Sequence, residues 1–112
     1  MKYVCLIYEN ESVRESNGDG MHQEYGVYTQ EVAAAGKLLA GDALELSSTA
    51  TTVRVREGET LTTDGPYAET KEQIGGYYVL DCDDLDDVLA WAAKIPGARR
   101  GAIEVRPIMN VG

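Results

Sequence analysis

Apolar residues along this chain follow two rhythms, one that fills every position of a short run and one with a helical repeat. Tyr3–Tyr8 (YVCLIY) is β-branched, aromatic and apolar with no breaker, which predicts a strand. Ile74–Cys82 (IGGYYVLDC) predicts another. Both carry large residues on either face: Tyr3, Cys5 and Ile7 against Val4, Leu6 and Tyr8, and Tyr78 and Leu80 against Tyr77 and Val79. A strand with one wet face alternates apolar with polar residues, so these two are expected to be covered on both sides.

The second rhythm appears twice. Met21, Tyr25, Tyr28, Val32 and Ala35 recur at steps of four and three, predicting a helix from Met21 to about Ala35. Asp19 is its expected N-cap and Gly36 its left-handed end, while the polar stretch Glu9–Gly20 reads as a loop. Leu85, Val88, Leu89, Ala92 and Ile95 predict a second buried stripe on a helix from Asp84 to about Ile95. Asp83 or Asp84 can cap it, Asp86 and Asp87 suit its N-terminal dipole, and Pro96-Gly97 stops it. Between the helices, Leu38–Leu46 predicts a strand with a bend or bulge at Gly41, and Thr51–Arg56 with Glu59–Thr63 predicts a hairpin around Glu57-Gly58. Ala102–Ile108 is the last expected strand.

Strand–helix–strand, an inserted hairpin, then strand–helix–strand is the split βαβ order. It predicts one α+β, ferredoxin-like domain over residues 1–112, with both helices on one face of an antiparallel sheet. Two helices cover only one face, and an apolar sheet left bare is rare on a monomer. The economical solution is a second copy packed face to face across a two-fold axis, so a homodimer is expected.

Composition narrows the partners. A net charge of −9 and a pI near 4.4 argue against non-specific binding to nucleic acid or anionic membrane. No signal peptide is expected ahead of the first strand, and no apolar run reaches the roughly 18–20 residues a bilayer demands. Cys5 and Cys82 lie in strand-like runs and read as buried free thiols of a reducing cytoplasm. A soluble cytoplasmic domain is the expectation.

Candidate chemistry gathers in DGPYAETKEQIGGYY, residues 64–78. Asp64 and Glu69 are the candidate acid–base groups, since a carboxylate near Tyr67, Tyr77 and Tyr78 could have a raised pKa. Lys71 could hold an anion, Glu72 adds a further polar group, and Arg54 or Arg56 could reach this loop from the hairpin. A structural duty accounts for the same residues, with Asp64 closing a turn and Glu69, Lys71 and Glu72 forming a solvated rim or crossing the dimer contact. The single histidine, His22, is expected at the helix edge or in solvent. With no zinc-ligand spacing, no nucleophile elbow and no phosphate-binding glycine loop, neither a metal nor a cofactor is expected.

The same central motif resembles the signature of the YCII-related, DGPF-domain family, with Tyr67 where Phe is usual. The likeness extends forward through DCDDLDDVLAWAAKIPGARRGAIEVRPI and backward through TATTVRV and AAAGKLLAGDAL. It implies a ferredoxin-like domain that pairs into a dimeric α/β barrel. Some relatives in the wider superfamily are enzymes with a His–Asp dyad, one a dehydrochlorinase of chlorinated aromatics. By spacing from Gly36 and Pro96 the matching positions are Tyr25 and Ile95, so that lyase chemistry is not transferable. The resemblance also raises a regulatory alternative, an interaction module associated with an extracytoplasmic-function sigma factor. The leading expectation is a homodimer that binds a small molecule in a polar pocket near Asp64–Glu72. Its polar groups would be Asp64, Glu69, Lys71 and Glu72, its aromatic ones Tyr25 and Tyr67, and catalysis stays open.

Overall fold

The computed structural model describes residues 1–111, with side chains at all of these positions except 15–19. The two-faced runs become the central strands of a four-stranded antiparallel sheet. The first is β1 (Lys2–Glu9), followed by the helix α1 (Glu11–Ala34) and the strand β2 (Leu38–Ala43). The hairpin strands are β3 (Thr51–Arg56) and β4 (Glu59–Asp64). After them come β5 (Gln73–Asp81), the helix α2 (Leu85–Ala93) and β6 (Ala102–Pro107). The sheet order is β2-β5-β1-β6, and β3 with β4 forms a separate two-stranded sheet. This is the α+β arrangement expected of a split βαβ chain and is compatible with a ferredoxin-like fold.

Residues paired across antiparallel strands share a face. Cys5 lies opposite Tyr78 and Val105, and Tyr3 opposite Leu80. This face packs against the helices and holds the core, in which Leu80, Ile95, Val32, Val88 and Cys5 are fully buried. Each such aliphatic side chain contributes about 1.5–3 kcal/mol over an exposed one. Tyr28 joins the two helices: its hydroxyl donates to the Trp91 carbonyl at 3.0 Å, and its ring meets the Trp91 ring edge-on at 6.4 Å. Lys37 reaches Asp87 at 2.7 Å beside it.

The opposite face has no helix over it. Val4 pairs with Val79 and Leu6 with Tyr77 there, flanked on the β6 side by Arg106 and Glu104. Val4, Leu6, Tyr8 and Val79 remain half-buried in the single chain.

Several boundaries differ from the expected ones. α1 begins ten residues before Met21, and its N-cap is Asn10 rather than Asp19, the Asn10 side chain accepting from the Ser12 N–H at 3.0 Å. Glu9–Gly20 is therefore not a loop: Glu9 ends β1 and residues 11–20 are helical. The register shift in β2 falls between Leu38 and Ala40, not at Gly41. Gly41 instead admits the Tyr78 ring, whose Cδ1 would lie 2.6 Å from an added Cβ. Ala35 is the exposed C-cap of α1, and Gly36 follows with φ 76°. On α2, Asp84 is the cap, and Val88, Ala92 and the following Ile95 are buried. Leu85 and Leu89 are 51% and 45% exposed instead of completing the stripe. The helix is too short, and its contact too narrow, to bury five positions.

A 3-10 turn at Pro96–Arg99 carries the chain back to β6. The hairpin closes on Glu57 and Gly58, both with positive φ, and Asp64 is the last residue of β4, opposite Thr51. Among the described residues, no helix is long and apolar enough to cross a membrane.

Candidate functional site

The alternation that buries Tyr3, Cys5 and Ile7 continues one step further and buries Glu9, which is 4% exposed. A carboxylate thus stands at the end of β1 on the helix-covered face. Tyr25 on α1 meets it: the phenol donates to Glu9 Oε1 at 3.1 Å and accepts from the Gly97 N–H at 3.1 Å. Burial, and after it the Glu9 charge, holds the Tyr25 phenol well above its ordinary pKa. Tyr25 is therefore a fixed donor and not a base at neutral pH. The other carboxylate oxygen, Glu9 Oε2, is buried without a partner.

Arg14, one helical turn into α1, enters the same space. One guanidinium nitrogen, Nη2, donates to the Leu44 carbonyl, while Nη1 is buried and unpartnered. Glu9, Arg14 and Tyr25 line one cavity of about 460 Å³ between α1, β2 and β5, within the usual range for small-molecule sites. Ile7, Met21, Leu38 and the Tyr78 ring supply apolar wall, and His22, Asp42 and Glu45 are exposed lining residues. Four further polar groups in the wall are matched in pairs: Tyr78 shares a hydrogen bond of 2.8 Å with Thr29, and Tyr77 donates to Asp42 at 2.6 Å. Among the described residues, no three His, Cys, Asp or Glu side chains converge to hold a metal ion.

The loop named from sequence lies elsewhere. Glu69 and Lys71 border an open depression of about 420 Å³ with Asn10, Glu11 and Ser47. There the Ser47 N–H and hydroxyl both donate to Glu11 at 2.6 Å, which holds its carboxyl below the ordinary range. Asp64 and Glu72 are exposed and border neither space, as is Tyr67, whose ring lies 5.6 Å beneath the Arg54 guanidinium. Of the six ligand candidates, only Tyr25 lines the cavity at Glu9 and Arg14. Ile95, which stands at the other position compared with the dyad, is fully buried.

A family model for the YCII-related domain matches residues 1–111. The chain belongs to the YCII-related family. An uncharacterized protein of Rhizobium meliloti (strain 1021) is 36% identical over 114 residues, spanning 96% of this chain and 92% of that protein. The YCII-related chain thus matches that relative along nearly its whole length. Two residues of its cavity, Glu9 and Arg14, were assigned to a loop by sequence reasoning. The signal for Glu9 was present, since every second residue from Tyr3 faces the core. Arg14 carried none, because the stretch around it has no apolar repeat.

Proposed function

We propose that this YCII-related protein is a homodimeric small-molecule-binding protein whose ligand occupies the cavity at Glu9, Arg14 and Tyr25. The observation that carries the reading is Glu9 Oε2, a carboxylate oxygen buried with no partner. A buried polar atom left unsatisfied costs about 1–3 kcal/mol, more when charged. Such a cost persists where function needs the group. The polar groups of the Asp64–Glu72 loop lie outside this cavity.

Dimerisation is supported by the uncovered sheet face, where Val4, Leu6, Tyr8 and Val79 form an apolar centre between charged edges. A second copy is the simplest cover for it.

The test is a thermal-shift screen of a metabolite library against the wild-type chain and Glu9→Leu. A ligand at 100 times its dissociation constant adds about 2.7 kcal/mol of stability. Wild type is expected to show hits that Glu9→Leu loses. No hit for either chain would sink the binding reading. Light scattering at micromolar concentration should give twice the chain mass, and Leu6→Glu should halve it; a single-chain mass for wild type removes the dimer.

A further inference from the structure

The cavity walls specify more than the presence of a ligand. Tyr25, Tyr77, Tyr78 and Thr29 are already paired. Among the described residues, Glu9 Oε2 and Arg14 Nη1 are the buried side-chain atoms left without a partner, one an acceptor on a carboxyl group and one a donor on a guanidinium, while His22 and Glu45 line the cavity from its exposed side. Glu11 acts electrostatically with Arg14 from its own turn but is itself held by Ser47, so it does not close the guanidinium. A ligand that satisfies both atoms brings a donor to Glu9 and an acceptor to Arg14. The rest of the wall, with Ile7, Met21, Leu38 and the Tyr78 ring, asks for an apolar body.

The geometry points to a zwitterion with an apolar side chain, the class of apolar α-amino acids, its ammonium on Glu9 and its carboxylate on Arg14. This rests on the reading that the cavity binds a small molecule. A simple acid would pair Arg14 and leave Glu9 facing its own charge. A simple amine would pair Glu9 and leave the guanidinium open. A hydroxy acid offers Glu9 a neutral donor, a weaker bond than a charged one, and carries a net negative charge toward a chain of net charge −9. Of these four classes, only the zwitterion meets both atoms with a charged partner and arrives neutral.

Calorimetric titration with four matched probes tests this on the wild-type protein: L-phenylalanine, 3-phenyllactate, 3-phenylpropionate and 2-phenylethylamine. L-Phenylalanine should bind at least about tenfold more tightly than each of the others, the effect of one lost charged hydrogen bond. Glu9→Gln, which keeps the side-chain shape, should erase the preference of L-phenylalanine over 3-phenylpropionate. Arg14→Gln should erase its preference over 2-phenylethylamine. Equal or tighter binding of a probe with only one charged head overturns the assignment while leaving the cavity a ligand site. No binding of any probe at millimolar concentration also overturns it, and the library screen then judges the cavity separately.

Discussion

Gly97 sits where a methyl group has no room. A Cβ there would come within 2.5 Å of Glu9 Oε1, 2.7 Å of the Tyr25 hydroxyl and 2.8 Å of Ile7 Cγ2. The glycine lets its own N–H reach Tyr25, and so fixes the phenol that fixes the carboxylate. Gly97→Ala should therefore cost about 1–3 kcal/mol, as overpacking of an interior does, read as a lower denaturant midpoint with an unchanged slope. An alanine variant as stable as wild type would show that this contact yields freely. At this scale the sequence is legible where a period governs it. Tyr25 follows from the stripe on α1, and the burial of Glu9 follows from the pleat of β1. Arg14 does not, because it enters the cavity through the packing of α1 over β2. Asp64, Tyr67 and Glu72 look like site residues because the loop is polar and aromatic, yet polarity alone does not make concavity.

Elements were read more reliably than their ends. Both central strands, the hairpin and α2 were expected close to where they stand, since apolar runs and turn residues bound them. The first half of α1 was missed because Asn17-Gly18 and Asp19-Gly20 are turn dipeptides and no apolar repeat runs through residues 11–20. What begins the helix there is a cap. Asn10 accepts from the Ser12 N–H and also from the Ser12 hydroxyl at 2.6 Å. Asn10→Ala should cost about 1 kcal/mol. Because Arg14 rides on that first turn, hydrogen exchange should rise in residues 11–14 before it rises in Tyr28–Val32. Uniform exchange along α1 would show that the cap is not what holds its beginning.

As a whole the molecule is flat and extended, 46 × 41 × 18 Å with a radius of gyration of 15.7 Å, against about 13 Å for a compact chain of this length. The hairpin accounts for part of the excess: it pairs only with itself, and Val53 and Val55 are 59% and 58% exposed on it. A lone two-stranded ribbon is marginal in water. The split βαβ succession of elements was legible in the sequence; the reach of the hairpin was not, since no local pattern encodes distance from the body. Charge sets the pH response of the whole. The Glu11, Glu24 and Asp87 carboxyls are held below their ordinary range, first by hydrogen bonds from Ser47, Arg100 and Lys37 respectively. Each binds its proton less readily folded than unfolded, so its contribution is present above the ordinary carboxylate pKa and is lost as pH falls through the depressed value. Melting temperature should hold from neutral pH down to about 5 and drop below about 4. A profile flat to pH 3 would contradict these pairings.

The one tryptophan, Trp91, lies edge-on to Tyr28 and 4.9 Å beneath the Lys94 ammonium, at the seam where the two helices meet. Fluorescence excited selectively at the indole, apart from the seven tyrosines, therefore reports that seam. Emission from this single indole should move to longer wavelength when α2 lifts away from α1, giving an optical gauge of tertiary docking that needs no label.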